Sequence, residues 1–154
     1  MKLILIRHGD AGAYTHPDSE RNLSEIGKAQ AQKTAKWLQQ NANPTLFISS
    51  PYNRAMQTCE IVKQAFADVE HQIFANITPD DDAQTAINGL ADLLANMNDD
   101  DCVVIVCHMN IIAYMAGLLT GEQPESFGLA EARILETNVL SNGLATQIGK
   151  FVPN

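Results

Sequence analysis

The run Cys102-Val103-Val104-Ile105-Val106 constrains the fold more than any other stretch of the chain. It has no polar position and is rich in β-branched side chains, so it cannot lie with one face in water. A strand buried on both faces needs a layer of helix above and below it. Lys2 to Ile6 repeats the pattern at the N-terminus and stops at the turn Arg7-His8-Gly9-Asp10.

The remaining segments alternate in kind. Residues 11–22 are small and polar and read as a loop. Ser24 is placed as an N-cap with Glu25 in the first turn, opening a helix to about Asn41 with Ala31, Ala35 and Leu38 on one face. Asn43-Pro44 ends it, and Thr45 to Ser49 reads as a second strand. Ser50-Pro51 reads as cap and first helical residue of a helix carrying Ala55, Cys59, Val62 and Phe66 inward. Ile73 to Ile77 is a weak third strand, and Thr78-Pro79-Asp80-Asp81-Asp82 opens a helix through about Met97. After the strand at Cys102, Asn110 to Leu119 is helical. Ala130–Val139 and Gly143–Phe151 read as terminal strands joined by a hairpin turn at Ser141-Asn142-Gly143. The expectation is α/β, a three-layer α/β/α domain over residues 1–154 with a mostly parallel central sheet and a C-terminal antiparallel hairpin.

Composition narrows the function. With 45% hydrophobic and 18% charged residues, the 154-residue chain has the balance of an ordinary globular domain. The apolar start Leu3–Ile6 is broken by Arg7 too soon for a signal core, and no run approaches the ~18 apolar residues of a membrane span. The three cysteines form no CxxC pair, which suits a reducing compartment; a cytoplasmic protein with no membrane segment is expected. A net charge of −8 argues against a nucleic-acid partner, which requires a basic face.

In open α/β sheets, sites form where strands end and helices begin. Three such ends gather the cationic and imidazole groups: Arg7-His8-Gly9, then Ser49-Ser50-Pro51 with Arg54 a turn into the helix, then Cys107-His108. Arginine forks match phosphoryl oxygens two at a time and keep their charge. A neutral imidazole with its second nitrogen tied to a carbonyl or carboxylate is a nucleophile, and another imidazole can donate as charge moves. Gly9 allows a close turn beside the substrate and leaves backbone N–H groups room to face it. Phosphate is therefore the anion the pocket is expected to hold. A cysteine nucleophile needs an arginine six residues on, but Ala65, His108 and Ala113 follow Cys59, Cys102 and Cys107 at that spacing.

Leu5-Ile6-Arg7-His8-Gly9-Asp10, Ser49-Ser50-Pro51 with Arg54 and Gln57-Thr58, and Val106-Cys107-His108 together resemble the histidine phosphatase (phosphoglycerate mutase-like) superfamily. The short length and Arg21-Asn22-Leu23-Ser24-Glu25-Ile26-Gly27 resemble its compact SixA-type phosphohistidine phosphatase branch. The resemblance covers essentially the whole chain. It implies a phosphorylated His8, a phosphate pocket of Arg7, Arg54 and His108, and a substrate-side Arg21, with no metal or cofactor. It also implies a partner protein carrying phosphohistidine, either a histidine-containing transfer domain or a phosphocarrier; a monomer is the expectation, although the sequence does not fix the oligomeric state.

Two departures bear on the substrate. Larger members insert a segment that carries an acid for an alkoxide leaving group, but here the stretch from Arg54 to His108 is consumed by regular elements. Such an acid contributes about 10²–10⁴-fold, and an imidazole leaving group, with a conjugate acid of pKa ~6.5, depends on it less. The alternative is a phosphatase of small phosphomonoesters, for which Asp80 to Asp82 are the nearby acids; a non-catalytic phosphate-binding module is a third reading. Asn110 stands where the branch carries proline, either as an extra amide donor or as a helix cap. The bland readings elsewhere are that His16 and His71 are exposed, that Asp80–Asp82 and Asp99–Asp101 are helix-start and turn carboxylates, and that Met109 and Met115 are packing residues. Arg21 has Glu20, Glu25 and the loop aspartates as competing partners.

Overall fold

The structure is a computed structural model and describes residues 1–153. Its six strands are β1 (Lys2–Arg7), β2 (Leu46–Ser49), β3 (His71–Ile73), β4 (Cys102–Cys107), β5 (Ala132–Glu136) and β6 (Thr146–Phe151), in the spatial order β3-β2-β4-β1-β5-β6. β3, β2, β4 and β1 run parallel; β5 is antiparallel to β1, and β6 to β5. The four helices are α1 (Glu25–Asn41), α2 (Asn53–Lys63), α3 (Ala83–Leu93) and α4 (Ile111–Thr120).

Strand alternation explains the layers. Leu3, Leu5, Val103 and Ile105 point to one side, where α3 and α4 bring Ile87, Leu90, Ile112 and Met115. Ile4, Ile6, Val104 and Val106 point to the other, against Ala35 and Leu38 of α1 and Cys59 and Val62 of α2. The expected three-layer sandwich is what folds. Every residue of β4 is buried, as its composition requires. Among the described residues no helix is long and apolar enough to cross a membrane.

Several element ends differ from the sequence expectation. Helix α2 begins at Asn53, with Tyr52 rather than Ser50 in the cap position. The Ser50 hydroxyl is engaged elsewhere, accepting the Tyr52 N–H at 3.2 Å and meeting His108 Nε2 at 2.8 Å. Helix α3 starts at Ala83, capped by Asp82, because Thr78–Asp81 closes a separate turn in which the Asp81 carboxylate accepts from the Thr78 N–H and hydroxyl. Strand β3 lies at His71–Ile73 instead of Ile73–Ile77, and Ile77 goes to the core. His71 is therefore not a free surface histidine: its ring joins Ser49 Oγ at 2.8 Å and Glu60 Oε1 at 2.9 Å.

The terminal hairpin has shorter strands than expected, and Ser141–Gly143 is not its tight turn. Residues 137–145 form a longer connection tied to the end of α4, with the Gly143 and Ala145 N–H groups donating to Leu118 and Leu119 carbonyls. Gly143 sits at φ 77°, in the left-handed region that a glycine enters without steric penalty.

Candidate active site

Register brings the chemistry together. Arg7 pairs with Cys107 and Ser49 with Val106, so β1, β2 and β4 end at one level and His8, Ser50 and His108 emerge side by side. The His8 and Ser50 N–H groups extend the ladder to the Cys107 and Val106 carbonyls, both at 3.0 Å. Arg54, in the first turn of α2, reaches the same point from the neighbouring layer.

The tautomer of His8 is fixed by its surroundings. Nδ1 lies 2.7 Å from the Gly9 carbonyl, which can only accept, so Nδ1 carries the hydrogen. Nε2 keeps its lone pair, which accepts from Arg54 Nε at 3.3 Å. Burial pulls the His8 pKa from 6.5 down to about 4; the Gly9 carbonyl opposes this, and the Arg54, Arg7 and Arg21 charges add to it. His8 is thus a neutral base with its free nitrogen facing a guanidinium.

His108 lies beside it, with ring centroids 5.1 Å apart. His108 Nε2 lies 2.8 Å from the Ser50 hydroxyl, a group that can donate or accept; where the hydroxyl donates, the ring proton stands on Nδ1. His108 Nδ1 is buried and has no partner among the described residues. Burial first, and then the neighbouring His8 and Arg54, hold the His108 pKa far below its ordinary value. A buried donor without an acceptor costs free energy unless a ligand answers it.

The arginines are clamped through their terminal nitrogens. Arg7 Nη1 donates to the Phe127 carbonyl at 2.9 Å, while its buried Nε has no partner among the described residues. Arg54 Nη1 and Nη2 donate to the Asp18 carbonyl (2.8 Å) and carboxylate (3.1 Å). Arg21 Nη1 meets the other Asp18 oxygen at 3.0 Å, Nη2 donates to the Gly12 carbonyl at 3.0 Å, and its Nε is likewise buried and unmatched. Asp18, in a single 3-10 turn (Asp18–Glu20), therefore bridges Arg21 and Arg54. Partial burial pushes its pKa up, but the hydrogen bonds from Arg21 and Arg54 prevail and hold the carboxyl below the usual range.

Arg7, His8, Arg54 and His108 thus converge, and Arg21 joins through Asp18. The Gly9 N–H itself donates to Thr58 Oγ1 at 3.0 Å. The residue's lack of a side chain serves packing, because a Cβ there would lie 2.6 Å from the Gly27 carbonyl oxygen of α1. Asp10 finishes the turn, accepting from Ser24 Oγ at 2.6 Å and the Gly12 N–H at 3.1 Å. Asn110 stands at the cap position of α4, exposed and without a side-chain capping bond. Cys107 is fully buried, and burial pushes its thiol up to about 12, so it is no thiolate nucleophile. Asp18, Ser50 and the Phe127 carbonyl are the site groups that sequence reasoning missed.

Known proteins place this geometry. Residues 3–78 match the family model of the histidine phosphatase superfamily (branch 1). The phosphohistidine phosphatase SixA homolog of Haemophilus influenzae is 33% identical over 141 residues, 82% of each chain. Phosphohistidine phosphatase SixA of Escherichia coli K12 is 27% identical over 93% of this chain and 89% of its own. A solved structure of the protein histidine phosphatase SixA, complexed with tungstate, superposes with a TM-score of 0.88 at 25% identity, covering 99% of this chain and 97% of that one. The family model, the fold and this level of identity agree: the chain is a phosphatase and belongs to the histidine phosphatase superfamily.

Proposed function

We propose that the protein removes the phosphoryl group from a phosphohistidine on a signalling or phosphocarrier protein, in two steps. The His8 Nε2 lone pair attacks phosphorus, a new N–P bond forms, and the substrate N–P bond breaks, its electron pair leaving with the partner's protonated imidazole. Water then attacks phosphorus, the bond to His8 breaks, and inorganic phosphate departs. Arg7, Arg54 and the His108 Nδ1–H hold the phosphoryl oxygens as charge redistributes, and Arg21 binds on the substrate side.

One observation carries this reading: a neutral, tautomer-fixed His8 faces the Arg54 guanidinium, while the carboxyl in contact with that group, Asp18, is held ionised. An ionised carboxylate cannot protonate an alkoxide, and phosphoimidazole is the phosphoryl donor that needs such an acid least. Asp81 and Asp82 accept hydrogen bonds in the Thr78 and Thr85 turns. The names of the relatives support the same substrate class. The reading treats residues 1–154 as one catalytic domain, a monomer acting in the cytoplasm without metal or cofactor.

Incubation with a phosphohistidine carrier protein and with sugar phosphates, in wild type and His8→Ala, tests it. Wild type is expected to prefer the carrier and to show a transient label on His8; His8→Ala is expected to be inert and unlabelled. Turnover by His8→Ala would end the proposal. A preference for sugar phosphates would favour the small-phosphomonoester reading, for which the exposed Asp80, whose charge raises the Tyr52 pKa after burial, is the acid at hand.

A further inference from the structure

Residues 125–133 lie beyond the segment matched to the family, yet they grip the Arg7–His8 dipeptide at three points. The Arg7 N–H donates to the Glu131 carbonyl (3.2 Å), and the Ala130 N–H donates to the His8 carbonyl (3.1 Å). The third is the bond from Arg7 Nη1 to the Phe127 carbonyl (2.9 Å). Ala130 holds φ at 56°, a left-handed conformation that a residue with a Cβ keeps only where its surroundings over-determine it. Buried Thr34 supplies part of that constraint, its hydroxyl donating to the Ala130 carbonyl at 2.7 Å.

The rest comes from a buried ion pair. Glu131 and Arg133 are each 3% exposed, with Arg133 Nε 2.5 Å from Glu131 Oε2. The same guanidinium donates to the carbonyls of Glu125 (3.2 Å) and Ser126 (2.6 Å) and lies over the Phe127 ring, Cζ 3.7 Å from its centroid. The other Glu131 oxygen accepts the Gly128 N–H at 2.9 Å. One fork and its counter-ion therefore fix every residue from Glu125 to Gly128. Buried ion pairs stabilise little, since desolvation offsets their attraction. What this pair sets specifically is where the Phe127 carbonyl points, and with it the plane of the Arg7 guanidinium.

We propose that Arg133 and Glu131 are positioning residues, which orient Arg7 for the phosphoryl group by fixing the Phe127 carbonyl that holds it. The inference rests on the assignment of Arg7 as a phosphoryl ligand. Its test measures orthovanadate affinity by calorimetry, beside Tm, for Arg133→Met, Arg133→Lys, Arg7→Met and the double variant Arg7→Met/Arg133→Met. Arg133→Met is expected to weaken vanadate binding by about ten- to a hundredfold, the scale of a misplaced binding group. With Arg7 already replaced, the same change is expected to cost no further affinity while still lowering Tm. Arg133→Lys keeps a charge opposite Glu131 but loses the fork, so it covers the case in which Arg133→Met does not fold, and a partial loss of affinity is expected. Wild-type affinity in Arg133→Lys or Arg133→Met, or an equal loss with and without Arg7, overturns the proposal. Wild-type vanadate binding by Arg7→Met overturns the Arg7 assignment and this inference with it, whereas a normal Arg7 dependence beside an inert Arg133 overturns this inference alone.

Discussion

His8, Arg54 and His108 form a floor whose residues are 9%, 4% and 1% exposed, whereas Asp18 and Arg21 form a rim whose side chains are 31% and 16% exposed. The floor hangs from the sheet: two of its members follow directly on strands in register, and the third is in the first turn of a helix packed on them. The rim is held by ion pairs reaching across a loop, Asp18 to Arg21 and Asp18 to Arg54. Charges on the floor act in low dielectric; those on the rim are more screened by water. The difference teaches that floor substitutions should strike the chemical step, and rim substitutions the orientation of what the floor uses.

Arg54 is the hardest test of that division, because it belongs to the floor and touches the rim. Arg54→Met removes the N–H against His8 Nε2 and orphans one side of Asp18. Loss of a preorganised donor to developing charge is worth about 10²–10³-fold, so phosphohistidine turnover is expected to fall by at least that much, most of it in kcat. A variant that lost only substrate affinity would place Arg54 with the rim and erase the contrast.

Asp18→Asn keeps the size of the side chain and removes the charge both arginines share. The Asp18 backbone carbonyl still holds Arg54 Nη1, so Arg54 should stay near His8 while Arg21 loosens. A loss of roughly tenfold is expected, on the scale of one charge-assisted hydrogen bond, appearing mainly in KM. Equal kcat losses for Asp18→Asn and Arg54→Met would show that the rim is part of the chemical machinery.

The floor also predicts a pH dependence of stability with the same sign as the rim's but at higher pH, because the Asp18 carboxyl, held below its ordinary value, acts only in more acid solution. The folded His8 pKa is held at about 4, against an ordinary 6.5. As pH falls through ~6.5 the unfolded chain takes up a proton that the folded chain refuses, so stability is fully present above that value and declines toward pH ~4. Urea unfolding at about pH 7.5 and about pH 5 should show the wild type weaker at the lower pH, with a smaller difference in His8→Asn. An unchanged difference in His8→Asn would mean that His8 is not the buried neutral base described here.

How much of this could be read beforehand follows the same line. Arg7, His8 and His108 were legible because the apolar runs before them mark where buried strands stop, and Arg54 because the second strand and its helix signals place it a turn past the next strand end. Asp18 was not, since it is one acidic residue in a polar loop, and its meaning arises only when residues 18, 21 and 54 meet. Ser50 carries a good capping signature, but its hydroxyl faces His108, a partner far along the chain, and the helix starts at Asn53 instead. His71 looked exposed for the same reason, its partners Ser49 and Glu60 belonging to other elements. Local periodicity reveals which groups stand at strand ends; it is silent on which loop carboxylate closes over them.

Asp80 is where the smallest effect is expected, and where it says most about the leaving group. It is exposed, and its charge is felt at Tyr52, whose ring lies 5.2 Å from that of His108. If the substrate were an alcohol ester, this would be the carboxyl available to protonate the departing alkoxide, and Asp80→Asn would cost about 10²–10⁴-fold. A phosphoimidazole leaves as a weakly basic ring that can arrive already protonated, so the same substitution should change phosphohistidine turnover by no more than about twofold, the scale of a single solvated surface charge. Measuring both substrates on one Asp80→Asn preparation separates the cases. A hundredfold loss on phosphohistidine would put an acid on the rim and move the chemistry out of the floor, because proton delivery would then limit a step that two arginines and two imidazoles are here held to carry by themselves.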